Sequence, residues 1–418
     1  MRNHFICHKI IITVAILFIL IYGLILTKIE DTFLQNFLFP NRPDWSELEH
    51  SPKIYEWFRE GTDAKFCVWY NFTKASLKPK INSISLCTHG SIGYSKFVFD
   101  YVSNWRSSIS VSLLIDENGL MALAAYKKLF GCYKSMSKIV TTHIVWKSTD
   151  KTPCDPKWIL QGFFSLPYAL FPDSCAFVFY KDIFQHQLQY PYPPNTMRNI
   201  ARNGSLTNIQ LIADIENHFS ENAAAFLSKV AENVTEKNVI GIRRFEFEKS
   251  EKIPPKNPII LKEMLDKEKA VQFHFFSAGK AHLIANLDFW VHYSTNENNP
   301  ITVHPISYPG FSWEPQLIVH KSHPYHFEGL PIRFTDQQAL PYELCRAKVN
   351  FTIVSHVFSY HDGIKRNQTE AENLQRLNSI SKGEEISAKF KKYLDKKYPK
   401  TLKLCGGWRN STKPQIKT

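Results

Sequence analysis

The stretch Ile81–Ile115, INSISLCTHGSIGYSKFVFDYVSNWRSSISVSLLI, decides the architecture. Ser83–Cys87 (SISLC) alternates polar and apolar residues, as a half-buried strand does. Beyond it Phe97, Val98, Tyr101, Val102 and Trp105 recur at i, i+1, i+4, i+5 and i+8, the stripe of a helix that buries one face. Ile109–Ile115 (ISVSLLI) reads as the next strand. A helix follows from Gly119 to about Phe130, and Lys138–Trp146 (KIVTTHIVW) is a further strand. Strand and helix alternating in this way predict an α/β fold, a mostly parallel sheet with helices on both faces. Ligands of such sheets gather beyond the carboxyl ends of the strands.

Downstream, Ile209–Phe219 (IQLIADIENHF) drives two acids, Asp214 and Glu216, to the end of an apolar strand, where desolvation is costly. A strand surfacing into a solvated loop explains them; so does a metal site. Residues i and i+2 of an extended segment point the same way, so both acids could face one cation while Ile215 turns to the core. Just upstream lies Tyr190–Gly204 (YPYPPNTMRNIARNG), where the prolines end and Asn195 caps a short helix. Arg198 and Arg202 share one face of it. Ordinary surface accounts for these arginines, and a basic face toward phosphates is the alternative. Ser220–Val234 (SENAAAFLSKVAENV) then forms a helix with Phe226, Leu227, Val230 and Ala231 inward.

The chain of 418 residues is 44% hydrophobic and 14% aromatic, which indicates a packed core of one large domain or two ordinary ones. Its 51 basic against 38 acidic residues give a formal charge of +13. No nucleic-acid signature accompanies that charge, and the run Lys389–Lys400 (KFKKYLDKKYPK) reads as a solvated helix face. Ile10–Thr27 holds eighteen residues without formal charge. At about 1.5 Å per residue they just span a bilayer core. Arg2 and Lys9 precede the run, and no small-residue cleavage site follows it, which favours a signal anchor over a cleaved signal peptide. The expected layout is a cytosolic tail over 1–9, a transmembrane anchor over 10–27, a stem over 28–60 that includes FPNRPDW, and a luminal domain over 61–418. Six Asn-x-Ser/Thr sequons (Asn71, Asn203, Asn233, Asn350, Asn367, Asn410) and seven cysteines beyond the anchor suit that compartment. Seven is odd, so at least one thiol stays outside an intramolecular pair.

The blocks THGSIGYSKFVFDYVSNWRSSISVSLLI, YPYPPNTMRNIARN, IADIE, GKAHLIANLDFW, FSWEPQLIV and YELCRAKVNFTIVSHVFSYHDG resemble, in order, those of glycosyltransferase family 49. That family includes a β-1,4-glucuronyltransferase and the C-terminal domain of the LARGE-type xylosyl/glucuronyltransferases. The similarity runs from about Ser83 to Gly363. It implies a Rossmann-like GT-A domain, an inverting reaction, a manganese ion, and a UDP-sugar donor, UDP-glucuronate in the characterised members. The implied setting is a Golgi type II membrane protein acting on a glycan or glycoprotein acceptor, with no nucleic acid and with homo- or hetero-oligomers left open.

Residue by residue, the family's Asp-x-Asp falls on Asp214 and Glu216, the second acid one methylene longer, and its late metal-binding histidine falls on His361. Oxygen ligands with one imidazole suit manganese. His282, Asn286 and Trp290 match a His-x3-Asn-x3-Trp spacing and imply a donor or acceptor wall, though packing explains Trp290 equally. Trp313 and Glu314 could stack on a sugar and accept its hydroxyl, and a structural turn is the competing account. His326–Leu344 (HFEGLPIRFTDQQALPYEL) departs from the family's Tyr/Phe-Asp-x-Arg-Phe motif. An inverting displacement needs a carboxylate to take the acceptor's proton. Glu314, Glu328 and Asp336 are candidates, unranked by sequence. A uronate donor needs a cation for its carboxylate, and Arg198, Arg202, Arg333 and His282 are available. A catalytically degenerate, glycan-binding or accessory protein on the same fold is the alternative function; an adhesion ectodomain leaves the ordered blocks unexplained.

Overall fold

The computed structural model describes residues 54–57, 64–165, 184–279 and 281–409. The anchor read over residues 10–27, the tail before it and most of the stem lie outside them. No helix among the described residues is long and apolar enough to cross a membrane. The described strands are β1 (Ile54–Trp57), β2 (Phe66–Thr73), β3 (Ile84–Ser91), β4 (Ile109–Ile115), β5 (Val140–Lys147), β6 (Ile209–Asp214), β7 (His218–Phe219), β8 (Asn238–Phe247), β9 (Ala270–Gln272), β10 (Val303–Ile306), β11 (Gln316–His320) and β12 (Asn350–Asp362). They join in one sheet ordered β1-β2-β5-β4-β3-β6-β11-β8-β12-β10, with β7 on β12 and β9 on β8. β1 lies in the stretch assigned to the stem, yet pairs with β2.

The block β5-β4-β3-β6 is parallel, as is the pair β8 and β12. The sheet as a whole is mixed, which corrects the expectation of a mostly parallel one. β11 runs antiparallel between β6 and β8, and β2 runs antiparallel against β5. Alternation within a segment identifies a strand but carries no information about which distant strand it will meet, or in which direction.

The alternation in β4 has a specific cause. Ile109, Val111, Leu113 and Ile115 enter the main core with Val98 and Leu123 from helices on that face. Ser110 and Ser112 point to the other face, where the helix Pro194–Gly204 lies. Ser110 Oγ donates to Ala201 O (2.6 Å) and Ser112 Oγ to Met197 O (2.8 Å). Small hydroxyls let that helix approach the sheet and satisfy carbonyls that water cannot reach. Helices therefore cover both faces.

Among the described residues two disulfides close within the chain, Cys67–Cys154, with Cys67 in the main core, and Cys345–Cys405. Cys132 is also disulfide-bonded. Cys87, inside β3, is free and buried, which accounts for the odd count. The sequon asparagines within the described residues, Asn71, Asn203, Asn233, Asn350 and Asn367, are all exposed.

The last long helix, Glu370–Lys397, starts at a capping box formed by Thr369 and Glu372. Its basic run is solvated, apart from Phe390 and Leu394, which point inward. Gly383 faces Phe334 so closely that an added Cβ would come within 2.2 Å of the ring. Arg409 covers that ring at 4.2 Å from its centroid. Gly383→Ala is therefore expected to destabilise the protein by about 1–3 kcal/mol through overpacking, read as a lower denaturant midpoint. A raised midpoint would mean that the ring yields and helix propensity prevails.

Candidate active site

The parallel register sets His89 at the end of β3 directly beside Asp214 at the end of β6. The chain turns at once: Asn217 N donates to Asp214 O (3.2 Å), and Tyr101 OH donates to the same carbonyl (2.9 Å). Ile215 and Glu216 thus lie in a turn, not in the extended segment expected. The sidedness survives nonetheless, with Asp214, Glu216 and His218 half-buried and Ile215 and Asn217 buried.

Asp214 is ringed by donors. Arg198 Nη2 donates to Oδ1 (3.1 Å), Gln337 Nε2 donates to Oδ2 (3.2 Å), and Arg244 Nη2 stands 3.7 Å from Oδ2. His89 Nε2 lies 3.3 Å from Oδ1. Burial opposes the Asp214 charge, but Arg198, His89 and Arg244 overcome it and hold the carboxyl well below its usual range. His89 Nδ1 and Tyr192 OH form a hydrogen bond at 2.6 Å. Burial keeps His89 neutral. Arg198 also donates from Nη1 to Asp336 Oδ2 (2.9 Å) and to Asn195 Oδ1 (2.8 Å).

A second acid faces this group. Burial first, then the charge of Asp336, push the Glu314 carboxyl up to about 7. His282 Nδ1 is 3.0 Å from Glu314 O and His282 Nε2 is 3.3 Å from Glu314 Oε2. A carbonyl only accepts, so Nδ1 carries the proton and Nε2 turns its lone pair toward the carboxyl. Burial keeps this imidazole neutral, its pKa lowered to about 3. A proton arriving on Glu314 therefore has an acceptor in contact. Gln338 Nε2 donates to the other oxygen, Oε1. Arg198, Asp214, Arg244, His326 and Gln337 line a cavity of about 30 Å³ between the ends of these strands.

Manganese was expected at Asp214, Glu216 and His361. Their donor types fit a divalent ion, two hard oxygens with one imidazole. Burial and the Asp214 charge push Glu216 up to about 7, a strain an added cation would relieve. His361, at the end of β12, is kept neutral chiefly by burial, and its Nδ1 is buried without a hydrogen-bond partner. Arg244 acts electrostatically on all three. Among the described residues, however, no three His, Cys, Asp or Glu side chains stand close enough to hold a metal ion.

Other residues singled out in the sequence have different surroundings. Arg202 is fully buried one turn below Arg198, donating to Gln210 Oε1 (3.2 Å) and Pro324 O (2.8 Å) and stacking on Tyr325. Glu328 is fully buried and accepts from Trp57, Thr196 and Asn199. Arg333 donates to Glu372 (2.7 Å) and Gln375 (2.9 Å) on the last helix. Trp313 packs on Phe351 in the core, and Trp290 is buried with Nε1 donating to Val354 O (2.7 Å). Asn286 is exposed, with a left-handed backbone at the start of the helix Leu287–Thr295.

The residues that sequence reasoning missed are His89, Gln337 and above all Arg244. Arg244 had a signal: Asn238–Phe247 (NVIGIRRFEF) carries charges inside a buried strand, the same anomaly that marked Asp214. His89 had none beyond its block, and Gln337, in the stretch that departs from the family, had none.

A profile of the family described as "Glycosyl-transferase for dystroglycan" matches residues 83–399. Beta-1,4-glucuronyltransferase 1 of Danio rerio is 24% identical, the match covering 79% of this chain and 78% of that protein. Among solved structures, S. aureus TarS 1-349 in complex with UDP-GlcNAc superposes with a TM-score of 0.34 at 9% identity, over 77% of this chain and 74% of that one. S. aureus TarS 1-349 on its own gives 0.31 at 10% identity, over 77% and 73%.

Proposed function

This chain belongs to the family of glycosyl-transferases for dystroglycan, and from that premise we propose that it is an inverting, manganese-dependent GT-A enzyme moving glucuronate from UDP-glucuronate to a glycan acceptor. The observation that carries the reading is the pairing of an ionised acid, Asp214, with a near-neutral one, Glu314, around two buried arginines at the carboxyl end of a parallel strand block. Two carboxyls with pKa values pushed apart divide ligand-holding from proton transfer. Asp214, Glu216 and His361 carry the donor types for manganese and would hold it once drawn closer together than they stand here; bound there, it would neutralise the departing diphosphate.

In this mechanism Arg198, locked between Asp214 and Asp336, adds fixed positive charge where the leaving group gathers its own. Glu314 takes the proton from the acceptor hydroxyl oxygen as that oxygen attacks the sugar, and the diphosphate leaves on the opposite face. Glu328, enclosed by its donors, and Asp336, paired with Arg198, are less suited to that step. The N-terminal anchor would hold the body in the Golgi lumen.

A second reading has one observation in its favour. Asp214 already has its donors, and no metal-binding trio converges among the described residues, as suits a degenerate glycan-binding or accessory protein. The full chain, purified in detergent and offered a panel of UDP-sugars with and without manganese, separates the two. Metal-dependent UDP release, fastest from UDP-glucuronate, is expected. Binding of no UDP-sugar would give the case to the degenerate protein, and digestion of the body by protease in intact microsomes would remove the luminal assignment.

A further inference from the structure

We propose that Arg244 is the specificity-determining residue of this site: its guanidinium takes the carboxylate of an acidic donor sugar and so favours anionic over neutral nucleotide sugars. The inference rests on the transferase reading above and assigns its donor preference to one side chain.

Arg244 lies in β8, 5% exposed, and lines the same cavity as Arg198, Asp214 and Gln337. The Phe273 ring lies 3.9 Å from its Cζ and fixes the plane of the guanidinium. Arg198 is fully engaged, with contacts of 2.8, 2.9 and 3.1 Å to three acceptors. Arg244 is not: its nearest acceptors, Asn217 Oδ1 and Asp214 Oδ2, lie at 3.4 and 3.7 Å, and its Nε is buried without a partner. Arg243, the next residue, commits both terminal nitrogens to the carbonyls of Ile284 and Ala285. A buried guanidinium short of acceptors is unfavourable, and a planar carboxylate supplies two oxygens matched to its fork.

Arg244 faces the cavity beside Asp214, and its charge also acts on Glu314. An acidic nucleotide sugar brings two kinds of anion to that cavity, its phosphates and the carboxylate on its ring, and the planar fork matches the carboxylate. Phosphate oxygens share the same chemistry, and the test separates the two sources.

Binding of UDP-glucuronate, UDP-glucose and UDP to the full chain in the presence of manganese is measured by calorimetry for the wild type, Arg244→Lys and Phe273→Leu. Arg244→Lys keeps the charge but loses the fork. It is expected to weaken UDP-glucuronate by about tenfold or more while leaving UDP-glucose and UDP within about twofold. Phe273→Leu frees the guanidinium plane and is expected to cut the same preference several-fold; it decides the matter if Arg244→Lys melts early. Equal losses for all three ligands in a folded variant would make Arg244 a phosphate contact and overturn the proposal. Unchanged affinities would overturn it too. A wild type that binds none of the three sinks the transferase reading itself, whereas a binding wild type with an unaltered ratio in the variants sinks only the role of Arg244.

Discussion

Replacing Asp214 by alanine is expected to abolish sugar transfer, lowering kcat/KM by a factor on the order of 10³ or more. The change removes an anionic ligand from the proposed metal site and, in the same stroke, the carboxylate that orients Arg198, His89 and Gln337. Arg198 would keep only Asp336 and Asn195, and Arg244 would lose its nearest charge. Some stability goes as well, because breaking a buried ion pair leaves an uncompensated charge. Steady-state rates are therefore read alongside a melting curve, and Asp214→Asn serves as the isosteric control. Glu216→Asp keeps the charge and is expected to stay within about tenfold of wild type, the scale of a small ligand misplacement. Retention of a tenth of wild-type activity in folded Asp214→Ala would remove this residue from the chemistry.

Glu314→Gln is expected to lower kcat by about 10²–10⁴, the range for loss of a positioned general base. The same residue sets a pH profile. Glu314 must be unprotonated to accept a proton, and burial, then Asp336, raise its pKa to about 7, against the lowering effects of Arg244 and Arg198. Asp214 adds to the rise, and the neutral His282 and the Gln338 amide complete the surroundings. Activity should thus climb about tenfold per pH unit below 7 and level off above it. In Glu314→Gln that limb should vanish with the rate. A surviving limb near pH 7 would assign the base elsewhere.

What the sequence conveyed was what is local. Ile109–Ile115 is a strand and Phe97–Trp105 a helix, as their periodicity requires: the helix buries one face, and the strand, buried on both, sets Ile, Val and Leu toward the main core and serines toward the covering helix. The direction of β11 was hidden, since its partners β6 and β8 come from elsewhere along the chain. The site divides along the same line. Asp214 could be singled out because it breaks a local pattern, and Arg198 because it shares a helix face with Arg202 just before that strand. That Arg202 faces Gln210 while Arg198 faces Asp214 depends on how the helix lies along the sheet, and Cβ spacing on one helix face does not encode it. Glu328 looked as available as Glu314 until Trp57, Thr196 and Asn199 closed around it.

The two adjacent glutamines, Gln337 and Gln338, grip one acid each, across sequence separations of 123 and 24 residues. The chain just before them is pinned to the last helix by Arg333, and by Phe334 seated on Gly383. The order of folding follows from this arrangement. The helix that fixes Arg333 and Phe334 lies C-terminal to every residue of the site, so in a chain that folds as it is synthesised it arrives after them. A chain emerging from the ribosome would complete the parallel block around His89 and Asp214 while the helix Glu370–Lys397 is still unmade. Until that helix docks, Arg333 lacks both its side-chain acceptors and Phe334 lacks the face of Gly383, so the segment leading to the two glutamines is less constrained. The centre is thus the last part of the molecule to be finished, and a chain truncated before Glu370 would keep its sheet block and lack an ordered site.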